Sequence, residues 1–279
     1  MNTLIVLAHP EPNSYNAALM RAARETLRSQ GHEVRISDLY AKAFAADEHG
    51  RHYSQRTNSE RFDAQLEQRF SAEHNALPHN VQKEVDDLLW ANLVILQFPL
   101  WWFGMPAILK GWMDRVFVYG KLYSGSQRLH TGVCRGRRAM LSVTAGSPAG
   151  ACAHDGQEGD TRLILWPLHY ALHYLGLTVL EPAIITSAHG GFATDDAIAQ
   201  ARYLEEQLCI HRARFANINA VPIIPFNTAE DWDERRKLKP HAPVHSPFIR
   251  HRSDWMLEDR GAFALPAVAS VGTKPSKPL

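Results

Sequence analysis

The stretch from Gln97 to Phe117 constrains this chain more than any other. Leu93 to Phe98 is a short apolar run, β-branched enough to read as a buried strand. Pro99 ends it, because proline has no N–H for the ladder, and Pro106 suits the first turn of a helix, where a missing N–H costs nothing. Leu109, Trp112, Met113 and Val116 then recur at i, i+3, i+4 and i+7, one helical face. Between strand and helix lie Pro99, Leu100, Trp101, Trp102 and Phe103, a loop holding three aromatics and no core of its own. Such rings either meet a flat ligand or seal a sheet end or a subunit contact.

The same alternation runs along the chain. Thr3 to Leu7 reads as a first strand, followed by the polar loop His9 to Asn16 and a helix from about Asn16 to Gln30, with Leu19, Met20, Ala23 and Leu27 inward and Gly31 at its end. Val34 to Leu39 is a second strand, Asn80 to Trp90 a helix and Arg138 to Thr144 a fourth strand. Thr161 to Tyr174 is a helix, Thr178 to Thr186 a fifth strand and Asp195 to Asn217 the last helix. Residues 40–78 are polar and show no clear period, a long excursion of the kind that is often functional. Strands alternating with helices mean a parallel sheet covered on both faces. Five such units fit the flavodoxin-like order 2-1-3-4-5, whose switch point lies between strands one and three. The first loop and the aromatic loop then flank one crevice. A polar loop opening a helix offers backbone N–H groups and the positive dipole end, which suits a phosphate. Ser14 and Asn16 add donors there, although Ser14 also reads simply as a helix cap. No GxGxxG is present, which disfavours a Rossmann dinucleotide site.

Composition excludes several classes. Hydrophobic content of 45% and a net charge of +1 leave room for a core and give no reason to expect nucleic acid or a membrane surface. No apolar run reaches membrane-spanning length, and the start lacks a basic leader, so a cytoplasmic location is expected. Cys134, Cys152 and Cys209 are too scattered for a metal site, and the 15 histidines show no metal-binding spacing. The expected domains are 1–220, a flavin-binding unit, and 221–279, an irregular C-terminal extension that reads as mobile from about Ala264.

Gln97-Phe-Pro-Leu-x-Trp-Phe-Gly-x-Pro-Ala-Ile-Leu-Lys-Gly-Trp resembles the NAD(P)H:quinone oxidoreductases of the DT-diaphorase type. The resemblance extends to Leu4–His9 with Ser14–Asn16, Leu141–Gly146, Gly159-Asp160, Ile164-Leu-Trp-Pro167 and Leu180-Glu-Pro182, and spans roughly residues 3–220. It implies a homodimeric flavoprotein, usually with FAD rather than FMN, that takes hydride from NAD(P)H and reduces quinones by two electrons. On that resemblance His9, Ser14, Tyr15 and Asn16 form the flavin phosphate loop. Pro99, Leu100, Trp101, Trp102 and Phe103 lie along the isoalloxazine, and Thr144-Ala145-Gly146-Ser147 over its other part. Tyr123 and Tyr174 match aromatics that reach into the partner subunit's site, and His189 matches a residue of the quinone pocket.

The chain departs from the family where reduced flavin meets its charge partners. The family's Thr-Thr-Gly-Gly reads Thr144-Ala-Gly-Ser147, its active-site tyrosine falls on Cys152 and its histidine on Glu158, with His154 nearby as a possible substitute. A second family tyrosine falls on Gly125. The resemblance leaves two other expectations open: an FMN nitro- or azoreductase, and a flavin- or nucleotide-sensing accessory subunit of a potassium-efflux-type system.

Overall fold

The computed structural model describes residues 1–189 and 194–251. The chain divides into two compact units, Met1–Pro225 and Phe226–Leu279. In the first, β1 (Asn2–Leu7), α1 (Tyr15–Ser29), β2 (Glu33–Asp38), α2 (Ala64–Glu73), α3 (His79–Trp90), β3 (Leu93–Pro99) and α4 (Ala107–Val116) follow in order. Then come β4 (Arg138–Thr144), α5 (Thr161–Ile164), α6 (Trp166–Tyr174), β5 (Thr178–Val179), β6 (Ala183–Ile185) and α7 (Thr194–Ala216). The second unit, over its described residues, is a single 3-10 turn at Ala229–Asp231 and a bridge between Trp232 and Leu238. The tail expected to be mobile from Ala264 lies outside the described residues.

All strands pair parallel, in the order β2-β1-β3-β4-β5, as the alternation of elements predicts. β1 from Leu4 onward, and β3 at every position but Gln97, are apolar because both sheet faces are covered. Ile5, Leu7, Ile95 and Met140 pack with Ala17, Met20, Ala23 and Leu27 of α1 and with Phe215 of α7. The alternate residues Leu4, Val6, Val94 and Leu96 are equally buried toward the other face. No described helix is long and apolar enough to cross a membrane.

Two expectations are corrected. The fifth strand is not continuous: β5 pairs Thr178 with Arg138, whereas β6 pairs Ala183 with Ser142, a slip of one residue across Leu180 to Pro182. Pro182 lacks the N–H that an unbroken ladder needs, and Glu181 N–H turns to the Pro222 carbonyl instead (2.8 Å). The helix expected over 161–174 is two, interrupted at Leu165, because Pro167 has no N–H to donate to the Leu163 carbonyl as an unbroken helix requires. The excursion over 40–78 is ordered, and buried ionic groups hold it. Glu67, fully buried, accepts from Arg56 Nε (2.9 Å), Thr57 N (2.9 Å) and Thr57 Oγ1 (2.9 Å). Arg115 of α4 is 2% exposed and donates to the Ala45 carbonyl (2.7 Å).

The excursion also packs onto α4 through an absent side chain. A Cβ on Gly111 meets the Ala46 carbonyl oxygen at 2.1 Å, and that neighbour is backbone. Gly111→Ala therefore overpacks the contact and lowers stability by about 1–3 kcal/mol. Urea unfolding checks this; an unchanged midpoint contradicts the packing.

Candidate cofactor site

The carboxyl ends of β1, β3 and β4 meet at a crevice, and a chain of buried side chains joins them. Gln97 Nε2, on β3, donates to Asn16 Oδ1 at the start of α1 (2.8 Å), and Asn16 Nδ2 donates to Thr144 Oγ1 at the end of β4 (2.9 Å). The three residues are 1%, 4% and 4% exposed. Thr144 and Asn16 were expected at the site. Gln97 was not, although a single amide inside the apolar run Leu93–Pro99 is a legible signal, since a polar group in a buried strand must find a partner.

That chain fixes the N-terminus of α1 in the crevice. Ser14 is its N-cap and accepts from Ala17 N (3.2 Å), so its hydroxyl proton stays free to be donated. The N–H groups of Tyr15 and Asn16 have no acceptor inside the helix. The Tyr15 side chain turns elsewhere: its hydroxyl donates to the Leu204 carbonyl (2.7 Å), and burial raises its pKa. His9 Nδ1 accepts from Glu11 N (3.0 Å), which leaves the proton of the neutral ring on Nε2, a donor. The arrangement is a set of convergent donors for an anion.

Opposite this loop stands the aromatic turn. Trp101 and Gly104 exchange both backbone hydrogen bonds (2.9 and 3.0 Å), closing a two-residue turn whose central residues are Trp102 (φ 52°) and Phe103 (φ 57°). A turn with both φ values positive is ordinarily built from Asn and Gly. Holding bulky aromatics there costs of order 1–3 kcal/mol per residue. Trp102 is 97% exposed, and Trp101 and Phe103 are exposed too, with His9 tilted 6.0 Å from the Trp101 ring. Leu100 N–H bonds the Thr144 carbonyl (2.8 Å) and ties the turn to β4. Strain and exposed aromatic surface without an internal partner mark a ligand or partner surface.

The third wall is the loop after β4. Ser147, Cys152 and Glu158 converge there: Ser147 Oγ donates to Glu158 Oε1 (2.6 Å), and Cys152 Sγ lies 3.9 Å from the Ser147 carbonyl. The loop folds back tightly at Gly156, where a Cβ meets the Gly150 carbonyl oxygen at 2.2 Å. Ala145 N–H bonds the Ile185 carbonyl (2.8 Å), and nothing lies within 4 Å of a Cβ built on Gly146, so that backbone is open to a ligand. His154 is not part of this cluster; its side chain is 84% exposed beside Asp155.

Tyr123 and Tyr174 stand together in an edge-on pair (5.8 Å), with Tyr119 on Tyr123 (5.4 Å). Arg128 donates to the Tyr174 hydroxyl (3.0 Å). His189 is exposed, and its carbonyl accepts from Gln200 Nε2 (3.3 Å).

A family model described as flavodoxin-like fold matches residues 1–208. The chain belongs to that family. A ribosyldihydronicotinamide dehydrogenase-like protein, traD, of Penicillium crustosum is 38% identical over 84% of this chain and 86% of its own. Human ribosyldihydronicotinamide dehydrogenase (quinone) is 41% identical over 65% of this chain and 79% of its own. Among solved structures, a Klebsiella pneumoniae protein proposed to be a quinone reductase shares 33% identity with a TM-score of 0.77, covering 86% of this chain and 94% of that one. The fold expectation and the resemblance to the quinone oxidoreductases are thus borne out.

Two substitutions separate structure from binding at this site. Asn16→Ala strands buried partners on β3 and β4 and lowers stability by about 1–3 kcal/mol. Trp102→Ala removes an exposed side chain and stays within about 0.5 kcal/mol of the parent. Thermal or urea unfolding of both checks the contrast, and the reverse order contradicts it.

Proposed function

We propose that this chain is a cytoplasmic, homodimeric, FAD-dependent NAD(P)H:quinone oxidoreductase. The observation that carries the reading is the Trp102–Phe103 turn, two large rings held at positive φ and out of the core beside a donor-rich helix N-terminus. A flat ring system with a phosphate tail answers both features at once. His9 Nε2, the Ser14 hydroxyl and the Tyr15 and Asn16 N–H groups would take the phosphate. Pro99 to Phe103 would lie along the ring, with Thr144 to Ser147 opposite. Bound flavin supplies a two-electron hydride carrier between NAD(P)H and a quinone or similar flat acceptor. The chain's own part is to stack the ring, exclude water and answer the charge that develops on it.

The last of these tasks is weakly served. Cys152 is a poorer donor than the tyrosine of the related enzymes, and the Ser147 proton is committed to Glu158. Glu158 stands where the related enzymes place a histidine, and a carboxyl group there would offer no cationic donor to the developing charge. Flavin reduction is therefore slow but not abolished. Cys152→Tyr with Glu158→His speeds flavin bleaching by NADPH about tenfold or more, tenfold being ~1.4 kcal/mol. Stopped-flow absorbance reads this directly. A double variant no faster than the parent shows that neither residue addresses the flavin.

Tyr123 and Tyr174 reach into the partner subunit's pocket in this reading, beside that subunit's flavin, and His189 lines the acceptor side. The mass in solution is then twice the 31.4 kDa chain. The deciding experiment follows NADPH oxidation with and without a benzoquinone and identifies the flavin released on heating. Acceptor-dependent turnover and released FAD are expected, and released FMN corrects the cofactor alone. Protein that takes up no flavin and oxidises no NADPH overturns the enzyme reading in favour of an accessory subunit.

A further inference from the structure

A second cleft, of about 650 Å³, opens between the 149–162 segment, β6 with its flanks, and α7. None of His9, Ser14, Trp101, Trp102, Phe103 or Ser147 lines it, and it meets the crevice above only at the loop after β4, where Cys152 belongs to the walls of both. Its walls combine an apolar floor with cationic and unpartnered polar groups.

Arg162 and Arg214 both line the cleft. Arg162 is exposed, and Arg214 is held by its Nη2, which donates to the carbonyls of Glu181 (2.5 Å) and Pro182 (3.3 Å). That leaves the Arg214 Nε–H buried with no acceptor among the described residues. Burial lowers the Arg214 pKa, Glu181 opposes the shift, and Arg162 adds to it, so the two guanidinium groups sense one another. The Asp160 carboxylate also lines the cleft, but it is engaged with Arg162 N (2.8 Å) as the cap of α5.

His211 supplies a third unmet group. It lines the cleft, is 2% exposed, and faces the Leu19 carbonyl through Nε2 (3.2 Å). Only a protonated Nε2 bonds a carbonyl, and burial keeps the ring neutral, its pKa pushed down to about 4. Nδ1 is therefore a buried acceptor, and it has no partner among the described residues. The buried, unpaired donor on Arg214 is what an oxyanion would satisfy, and the buried acceptor on His211 takes a proton donor, which a phosphate monoanion carries and a carboxylate does not. Pro182, Ala183, Ile184 and Ile185 give the floor an apolar surface.

We propose that this cleft binds a small organic oxyanion, a carboxylate or phosphate on an apolar body, with the anionic group between Arg162 and Arg214 and the body along Pro182–Ile185. Planar guanidinium forks match the oxygens of either group. The site does not depend on the quinone reductase reading, and its test does not depend on turnover.

The cleft carries its own reporter. Cys152 is in its wall, Cys209 is exposed outside it and Cys134 is buried. The experiment alkylates the protein as purified with iodoacetamide and reads each cysteine by mass spectrometry, with benzoate, phenyl phosphate or benzyl alcohol present. Benzoate or phenyl phosphate at millimolar concentration slows Cys152 labelling at least threefold and leaves Cys209 unchanged, and the better protector tells carboxylate from phosphate. Benzyl alcohol, with the same ring and no charge, gives no protection. Arg162→Ala, chosen because Arg162 is exposed while Arg214 ties down the chain before β6, abolishes the protection without moving the melting temperature, and Arg162→Lys restores part of it. Equal labelling with and without the anions overturns the proposal. So does protection by benzyl alcohol as strong as by benzoate, or protection that survives in Arg162→Ala.

Discussion

Gln97, Asn16 and Thr144 are the hinge of this structure in a literal sense, since they pin three separate segments at one edge of the sheet. Each is a polar side chain placed where water does not reach, and each is satisfied only by the next. Removing one leaves buried groups unpaired, at about 1–3 kcal/mol, which is a large fraction of a domain's net stability. The same bonds set the start of α1 against the ends of β3 and β4. The loops that follow those elements therefore face one another by construction. The crevice is a consequence of how the sheet edge satisfies its own polar atoms.

The aromatic turn stores strain against that fixed edge. An Asn-Gly pair closes such a turn at no conformational cost, whereas Trp102 and Phe103 close it with two side chains that disfavour positive φ. Neither ring recovers the cost by burial within the chain. The Leu100–Thr144 bond and the reciprocal Trp101–Gly104 bonds keep the turn in place regardless. Energy held in this way is recovered when the rings meet a flat surface, which is why the turn, and not the fold, carries the functional argument.

Much of the fold was legible because its elements are locally encoded. The apolar runs at the first, third and fourth strands are buried on both faces, and the inward residues of α1 are those its period predicts. What escaped the sequence was set at long range. Residues 40–78 look like a polar loop until Glu67 finds Arg56 and Thr57, and Arg115 reaches the Ala45 carbonyl from α4. The split of the fifth strand depended on Pro182 and on Glu181 turning to Pro222, a partner 41 residues along the chain. At the site, the aromatic loop and the helix cap were readable, but the convergence of Cys152 and Glu158 on Ser147 was not. It arises from a loop folded back on itself at Gly156, where only a missing Cβ lets the chain pass.

The central claim is that the three loops at this sheet edge close around one flavin. Hydrogen–deuterium exchange of flavin-stripped protein, with and without added FAD, measures it segment by segment. The account predicts new protection in residues 9–17, 99–104 and 144–147 together, with β2 unchanged. Protection confined to one of the three loops, or appearing instead along the cleft beside α7, would contradict it.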